Sequence, residues 1–166
     1  ITKYTFKNMK KIKGIPVVTL KAEIPVKGLA NYNPKYKVNR KRLTSSTKYW
    51  PVDNSKINNI VANICDNQMT AEEKIIVIQK WIDENIKYKG RISGSRYGVT
   101  KVLNQEYGHC WDFSDVFITL SRAAGIPSRL VVGWVYEKGG HSWVQVYLPE
   151  EGWVATDPMH VGLGVK

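Results

Sequence analysis

Three side chains that together can break an amide bond follow one another along this 166-residue sequence: Cys110, His141 and Asp157. A cysteine supplies a thiolate nucleophile, a histidine accepts and returns its proton, and a carboxylate holds the histidine in one tautomer. Each residue alone has an ordinary explanation, as a core thiol, a loop histidine or a turn-forming aspartate. Their order and the patterns around them favour a thiol triad.

The cysteine stands at the predicted start of a helix. After Cys110, apolar residues recur at spacings of three and four, until Gly125 and Pro127 end the pattern. The apolar positions are Phe113, Val116, Phe117, Leu120 and Ala124. A helix N-terminus has free backbone N–H groups and a positive dipole end, which favour a thiolate over a thiol. The sequence therefore predicts a helix that carries the nucleophile.

Three strand patterns follow this helix, at residues 129–136, 141–148 and 153–157. Side chains alternate between faces along a strand, so His141 and Asp157 share a face only if the connecting loop has an odd number of residues. A three-residue loop that places Leu148 opposite Gly152 satisfies this condition. We therefore predict an antiparallel meander packed against helices.

Four linked segments carry a resemblance to a known family. They are Gly-His-Cys-Trp-Asp-Phe-Ser, Arg-Ala-Ala-Gly-Ile-Pro-Ser-Arg, Gly-His-Ser-Trp-Val-Gln-Val-Tyr and Gly-Trp-Val-Ala-Thr-Asp-Pro. In this order they resemble the transglutaminase-like superfamily of papain-type cysteine enzymes, over about residues 55–160. The resemblance implies an α+β papain-like fold, with the nucleophile-bearing helix packed on an antiparallel sheet. It also implies acyl transfer through a thioester, with Cys110, His141 and Asp157 as the triad.

The resemblance leaves the acyl acceptor open, because peptidases, cross-linking enzymes, deglycosylases, archaeal cell-wall isopeptidases and inactive homologues share these segments. We interpret the chain as a thiol-dependent amide-bond hydrolase. The alternatives are a protein cross-linking transglutaminase and a non-catalytic interaction domain on the same fold. The expected substrate is a protein, a peptide or a cell-wall peptide, and we expect a monomer.

The oxyanion of such a reaction needs hydrogen-bond donors, each worth about 3 kcal/mol. The Cys110 backbone N–H is one candidate, and the side chain of Gln105 or Tyr88 is the candidate for a second. Three tryptophans, at positions 111, 143 and 153, either wall the cleft or pack in the core, and core packing is the better-supported role.

No cofactor or metal site is predicted. His109 and His160 have no partners at zinc spacing, and neither a calcium loop nor a phosphate-binding glycine loop is present. Calcium dependence, known for animal transglutaminases, is therefore not implied.

Composition bounds the class of protein. The hydrophobic content of 43% is that of one globular domain, and no apolar run is long enough to predict a membrane span. Two cysteines are too few for a disulfide scaffold, and a bridge to Cys65 would silence Cys110. We predict Cys65 to be a buried thiol on a helix.

The first residue, Ile1, indicates an excised domain, and an extracellular or cell-surface location is favoured.

The charge divides the chain in two. Residues 1–50 contain 13 Lys or Arg and one acidic residue, Glu23. Residues 51–166 contain 12 Lys or Arg and 13 acidic residues. We assign residues 1–50 to a basic N-terminal strand and arm, and residues 51–166 to the catalytic core. The basic segment is either a solvated surface or a site for an anionic surface such as a wall polymer. Nucleic acid is not expected, because no nucleic-acid motif accompanies the basic residues.

Local patterns predict the remaining elements. In the basic segment, residues 16–26 form a strand or hairpin and residues 31–50 an arm or loop. Residues 54–65 are amphipathic, and Thr70 with Glu73 forms a capping box that starts a helix ending near residue 88. The inward face of that helix contains Ile75, Ile78, Trp81, Ile82 and Ile86. A short helix or turn is predicted at residues 99–104.

Overall fold

The structure is a computed structural model, and it describes residues 11–12, 15–16, 38–89, 96–135 and 139–159. The chain divides into two compact units, Ile1–Lys35 and Tyr36–Lys166. In the first unit, strands β1 (Lys11–Ile12) and β2 (Ile15–Pro16) pair antiparallel. The rest of the strand predicted at 16–26 lies outside the described residues.

The second unit combines helices with a three-stranded antiparallel sheet, so the predicted α+β fold is confirmed. The sheet has the order β5-β6-β7, and a short parallel pair joins β3 to β4. The elements are α1 (Arg40–Thr44), α2 (Ser55–Ile64), α3 (Ala71–Asn85), β3 (Lys87–Tyr88), α4 (Val99–Gln105), β4 (Tyr107–Gly108), α5 (Cys110–Ala123), β5 (Ser128–Val135), β6 (Gly139–Leu148) and β7 (Gly152–Thr156). Among the described residues, no helix is long and apolar enough to cross a bilayer.

Helix α5 lies at the centre of this unit. It packs against β5 and β6 on one side and against α2, α3 and α4 on the others. Every residue from Asp112 to Arg122 is buried, so this helix has no solvent face. Its apolar side chains, Phe117 among them, fill the core, and the buried polar side chains need partners from neighbouring elements.

Helix α3 begins as its sequence predicts. The Thr70 hydroxyl accepts a hydrogen bond from the Glu73 N–H, and the Glu73 carboxylate accepts one from the Thr70 N–H. The predicted isoleucines are buried, but Trp81 is only half-buried at the edge of the core. Gln79 takes a buried place on this helix instead.

The sheet register confirms the predicted loop. Leu148 pairs with Gly152, so three residues connect β6 to β7. Gly152 has a φ of 77°, a left-handed conformation that favours glycine at the end of such a loop. Because Val144 pairs with Thr156, the side chains of His141 and Asp157 lie on the same face of the sheet.

Two predictions for the surrounding segments differ from the structure. The sequence placed residues 31–50 in an arm or loop, whereas residues 40–44 form α1 and pack against α5. The Arg122 guanidinium donates to the Ser45 carbonyl at 3.2 Å, so residues 38–50 belong with the core rather than beyond a boundary at residue 50. Cys65 is the C-cap of α2 and is half-buried, because the helix ends one residue earlier than predicted.

Candidate active site

Cys110 occupies the first position of α5. The N-cap is His109, whose Nδ1 accepts a hydrogen bond from the Trp111 N–H at 3.3 Å. In return, the Asp112 carboxylate accepts a hydrogen bond from the His109 N–H at 3.1 Å. These two bonds form a capping box with histidine in the usual Ser or Thr position. They hold the half-buried Cys110 at the positive end of the central helix.

The loop before α5 is pinned to the same helix turn. The other oxygen of Asp112 accepts a hydrogen bond from the Tyr97 N–H at 2.8 Å. A Cβ on Gly108 would lie 2.6 Å from the Asp112 Cβ, so only glycine permits this close approach. The residues on either side of Cys110 are therefore positioned by buried contacts.

A partly buried ion pair supports the tryptophan beside Cys110. Arg96 donates through two nitrogens to the carboxylate of Asp115, one of them at 2.7 Å, and Trp50 Nε1 donates to the same group at 2.9 Å. The hydrogen bond to Asp115 raises the pKa of Arg96, so the guanidinium stays charged. The guanidinium also lies 5.2 Å from the centre of the Trp111 ring. Trp111 thus packs against Arg96 and is held beside Cys110.

His141 and Asp157 are in direct contact. The distance from His141 Nε2 to Asp157 Oδ2 is 2.7 Å, and the Met159 N–H donates to Asp157 Oδ1 at 3.1 Å. The Trp143 ring stacks beside the imidazole, at 6.1 Å between centres and 24° between planes. Because Asp157 engages Nε2, the nitrogen left to exchange a proton with a substrate or nucleophile is Nδ1.

One contact relates the helix of Cys110 to the strand of His141. Ser114 follows Cys110 by one turn of α5, and its Oγ lies 3.4 Å from Oγ of Ser142, the neighbour of His141 on β6. Both hydroxyls are buried. The structure therefore joins His141 to Asp157 directly. It also joins the first turn of α5 to the start of β6, the strand that carries His141.

The two candidate oxyanion side chains lie in different settings. Lys87 and Tyr88 on β3 pair with Tyr107 and Gly108 on β4, so Tyr88 lies beside the residue two positions before Cys110. This short parallel pair was not predicted from the sequence. Gln105 Nε2 donates to the Tyr107 carbonyl at 2.8 Å, so this amide is bound to its own chain.

Trp153 is the third of the tryptophans considered for the cleft wall, and it packs on the sheet. Its ring lies 4.0 Å from the Arg129 guanidinium and meets the Tyr147 ring edge to face. Within the part of the chain that the structure describes, no cluster of His, Cys, Asp and Glu could hold a metal ion. His160 lies outside the described residues.

Sequence reasoning missed Gln79, which supports Asp157 from behind. Gln79 Nε2 donates to the Asp157 carbonyl at 3.0 Å, and its Oε1 lies 3.4 Å from the Thr156 hydroxyl. The side chain is 2% exposed. It breaks the apolar pattern of α3, and a polar residue at a core position is the signal that could have identified it.

Replacing Gln79 by leucine is expected to lower the free energy of unfolding by about 1–3 kcal/mol, because it leaves the buried Asp157 carbonyl without this donor. Activity measured where the variant is still folded should fall as well, since the backbone that carries Asp157 loses its support. Urea unfolding and kcat/KM check the two effects, with Gln68→Leu on the surface as the matched control. Full activity in a destabilised variant would show that Gln79 serves the fold alone.

The two cysteines are expected to alkylate at different rates. Burial raises the pKa of the Cys65 thiol above its ordinary value, so its thiolate is scarce at pH 7. Cys110, at the start of α5, should react with iodoacetamide at least about tenfold faster than Cys65. The Cys65 rate should rise about tenfold per pH unit until the pH passes its raised pKa. Equal rates at pH 7, read by mass spectrometry, would contradict the nucleophile assignment.

Comparison with known proteins assigns the sequence to a family. A sequence model of the transglutaminase-like superfamily matches residues 58–158. The chain belongs to the transglutaminase-like superfamily. The matched region begins in α2 and ends one residue after Asp157, so it includes Cys110 and His141 as well. The resemblance stated from the four sequence segments is confirmed.

Individual relatives of this superfamily member agree with that placement. A protein-glutamine gamma-glutamyltransferase of Pseudomonas aeruginosa is 32% identical over 32% of this chain and 10% of its own length. The fold is shared with a proposed cysteine protease from Cytophaga hutchinsonii, with a TM-score of 0.65 and 21% identity over 85% of this chain and 48% of that one. The fold is also shared with the periplasmic domain of TgpA from P. aeruginosa, with a TM-score of 0.59 and 21% identity. That match covers 72% of this chain and 46% of the TgpA chain. The chain thus spans about half of each solved structure and a tenth of the curated relative.

Proposed function

We propose that the chain hydrolyses amide bonds through a thioester on Cys110. The Cys110 sulfur attacks the carbonyl carbon, and its proton passes to Nδ1 of His141. The imidazolium then gives that proton to the leaving amine as the C–N bond breaks. Water, deprotonated by the same nitrogen, adds to the thioester carbonyl, and collapse releases the acid and restores the thiol.

The single observation that carries this proposal is the 2.7 Å hydrogen bond between His141 Nε2 and Asp157. A carboxylate on one ring nitrogen fixes the tautomer and stabilises the imidazolium, which a structural histidine does not require. The Cys110 N–H supports the proposal as an oxyanion donor, because the first N–H groups of a helix have no partner within it. Tyr88, placed beside Gly108 by the β3–β4 pair, is the second donor we favour.

The experiment that tests hydrolysis is product analysis by mass spectrometry. The protein and its Cys110→Ala variant are incubated with a peptide library and with cell-wall peptides, each with and without a lysine-containing acceptor. We expect new carboxyl and amino termini from the wild-type protein and no change from the variant. Products that retain both chains, joined through the lysine, would identify a cross-linking enzyme instead.

Cross-linking is the second candidate, because one relative in this superfamily is a protein-glutamine gamma-glutamyltransferase. A lysine amine would then replace water as the acceptor for the same thioester. The absence of any Cys110-dependent product, together with slow alkylation of Cys110, would favour a non-catalytic interaction domain. Since TgpA contributes a periplasmic domain of this fold, we propose that the chain also works outside the cytoplasm.

We further propose that the basic segment attracts an anionic polymer that carries the substrate. Three exposed basic residues lie on α1: Arg40, Lys41 and Arg42. Glu23 is the one acidic residue among residues 1–50, so the positive charge of this segment is not balanced within it. Surface attraction of this kind weakens with salt, since screening acts over roughly 8 Å at physiological ionic strength.

Activity on a polymeric anionic substrate should therefore fall steeply with salt, while activity on a small neutral peptide stays flat. Neutralising Lys35, Lys37, Arg40, Lys41 and Arg42 together is expected to abolish the difference. The measurement is kcat/KM on both substrates across a salt series. If both respond alike, the segment is only a solvated surface.

A further inference from the structure

A groove of about 570 Å³ lies between residues 48–51 and residues 97–105, which include α4. This volume is in the range that holds small ligands and short peptide segments. Its walls include the rings of Tyr49 and Tyr97 and the side-chain amides of Asn104 and Gln105. Aromatic and polar side chains together suit a peptide chain, which presents both apolar surface and hydrogen-bonding groups.

The charge of the groove is positive. Lys48 and Lys101 line it, and no acidic side chain does so among the described residues. The Lys101 Nζ lies 5.0 Å from the centre of the Tyr97 ring, and the Lys48 Nζ lies 6.0 Å from that of Tyr49. Each ammonium group therefore lies over a tyrosine ring, and its outward side can pair with a carboxylate of a ligand.

Two ring contacts connect the groove with the neighbours of Cys110. The Tyr97 ring lies 6.2 Å from the ring of His109, which precedes Cys110. On the other side, the Arg96 guanidinium lies 4.5 Å from the Tyr49 ring and 5.2 Å from that of Trp111, which follows Cys110. The groove wall thus continues to both residues that flank Cys110.

We infer that this groove is a substrate subsite for an acidic peptide segment, whose carboxylate pairs with Lys48 and Lys101. The ring contacts lead from the groove wall to His109 and Trp111, so a peptide that continues beyond this segment can run toward Cys110. The charge of Arg96 is already paired with Asp115, which leaves the two lysines to select the anion. The inference rests on the proposed function and names the substrate class of the same site.

The test measures binding without chemistry, on the full chain carrying Cys110→Ala. The probes are acetyl-Ala-Glu-Ala-amide and its neutral isostere acetyl-Ala-Gln-Ala-amide, titrated at low salt while backbone amide NMR shifts are followed. We expect the glutamate peptide to bind about fivefold more tightly, since two exposed charge pairs contribute modestly. The largest shifts should lie at residues 97–101.

Matched variants assign the preference to the groove. Adding Lys48→Gln and Lys101→Gln should abolish it, and Lys48→Arg with Lys101→Arg should retain it. Lys80→Gln, an exposed lysine paired with Glu84 on α3, should leave it unchanged. Equal affinity for the two peptides, shifts centred elsewhere, or a preference that survives the double glutamine variant would each overturn the subsite. Because binding is read without turnover, these results are independent of whether Cys110 hydrolyses amides.

Discussion

Replacing Cys110 or His141 by alanine is expected to lower kcat/KM for amide hydrolysis on the order of 10⁴-fold or more. In the proposed mechanism, the cysteine forms the covalent bond and the histidine moves the proton, so removing either side chain removes a chemical step. The double variant should be about as inactive as each single variant, because residues that act as a unit do not contribute additively.

Asp157→Ala should be less severe, by about tenfold to a hundredfold. Trp143 still stacks beside the imidazole and supplies part of its orientation. Steady-state kinetics on one peptide substrate measure all four variants, and circular dichroism confirms that each is folded. Cys65→Ala is the matched control and should keep wild-type activity. A His141→Ala variant with wild-type kinetics would remove the triad from the mechanism.

The largest effect on stability is expected at Phe117. This side chain is completely buried on α5, where the sheet and the other helices converge. Phe117→Ala should lower the free energy of unfolding by about 3–5 kcal/mol, through lost burial and the cavity that remains.

Trp81→Ala on α3 should lower the free energy of unfolding by less than the Phe117 substitution does, because Trp81 keeps solvent contact at the edge of the core. The apolar pattern of α3 predicts an inward position for Trp81, so comparing the two substitutions measures how far its side chain departs from that position. Urea unfolding provides the values, and Ile76→Ala on the exposed face of α3 is the control, expected within about 0.5 kcal/mol of wild type. A loss below about 1 kcal/mol for Phe117→Ala would contradict the placement of α5 at the centre.

The features that sequence predicted well are those governed by local rules. The Thr70–Glu73 capping box, the helix that begins at Cys110 and the three-residue loop before Gly152 each depend on neighbouring residues. The shared face of His141 and Asp157 followed from the loop length, because side chains alternate strictly along a strand.

Features that depend on distant contacts were not predictable in the same way. Gln79 is buried against a backbone carbonyl that comes from Asp157, 78 residues later. The β3–β4 pair needs two segments nearly twenty residues apart, each too short to show a strand pattern. The polar residues 40–44 become α1, with Asn39 as the N-cap, and pack on α5 although no apolar periodicity marks them.

The most direct test of the central claim is to locate the acyl group during turnover. The protein is mixed with a peptide substrate, quenched in acid and digested with trypsin, which separates Cys110 on fragment 102–122 from Cys65 on fragment 57–74. Tandem mass spectrometry should find the acyl group on Cys110, and His141→Ala should greatly reduce its formation. Substrate turnover without an adduct at Cys110, or an adduct on Cys65 alone, would contradict the assignment of Cys110 as the nucleophile.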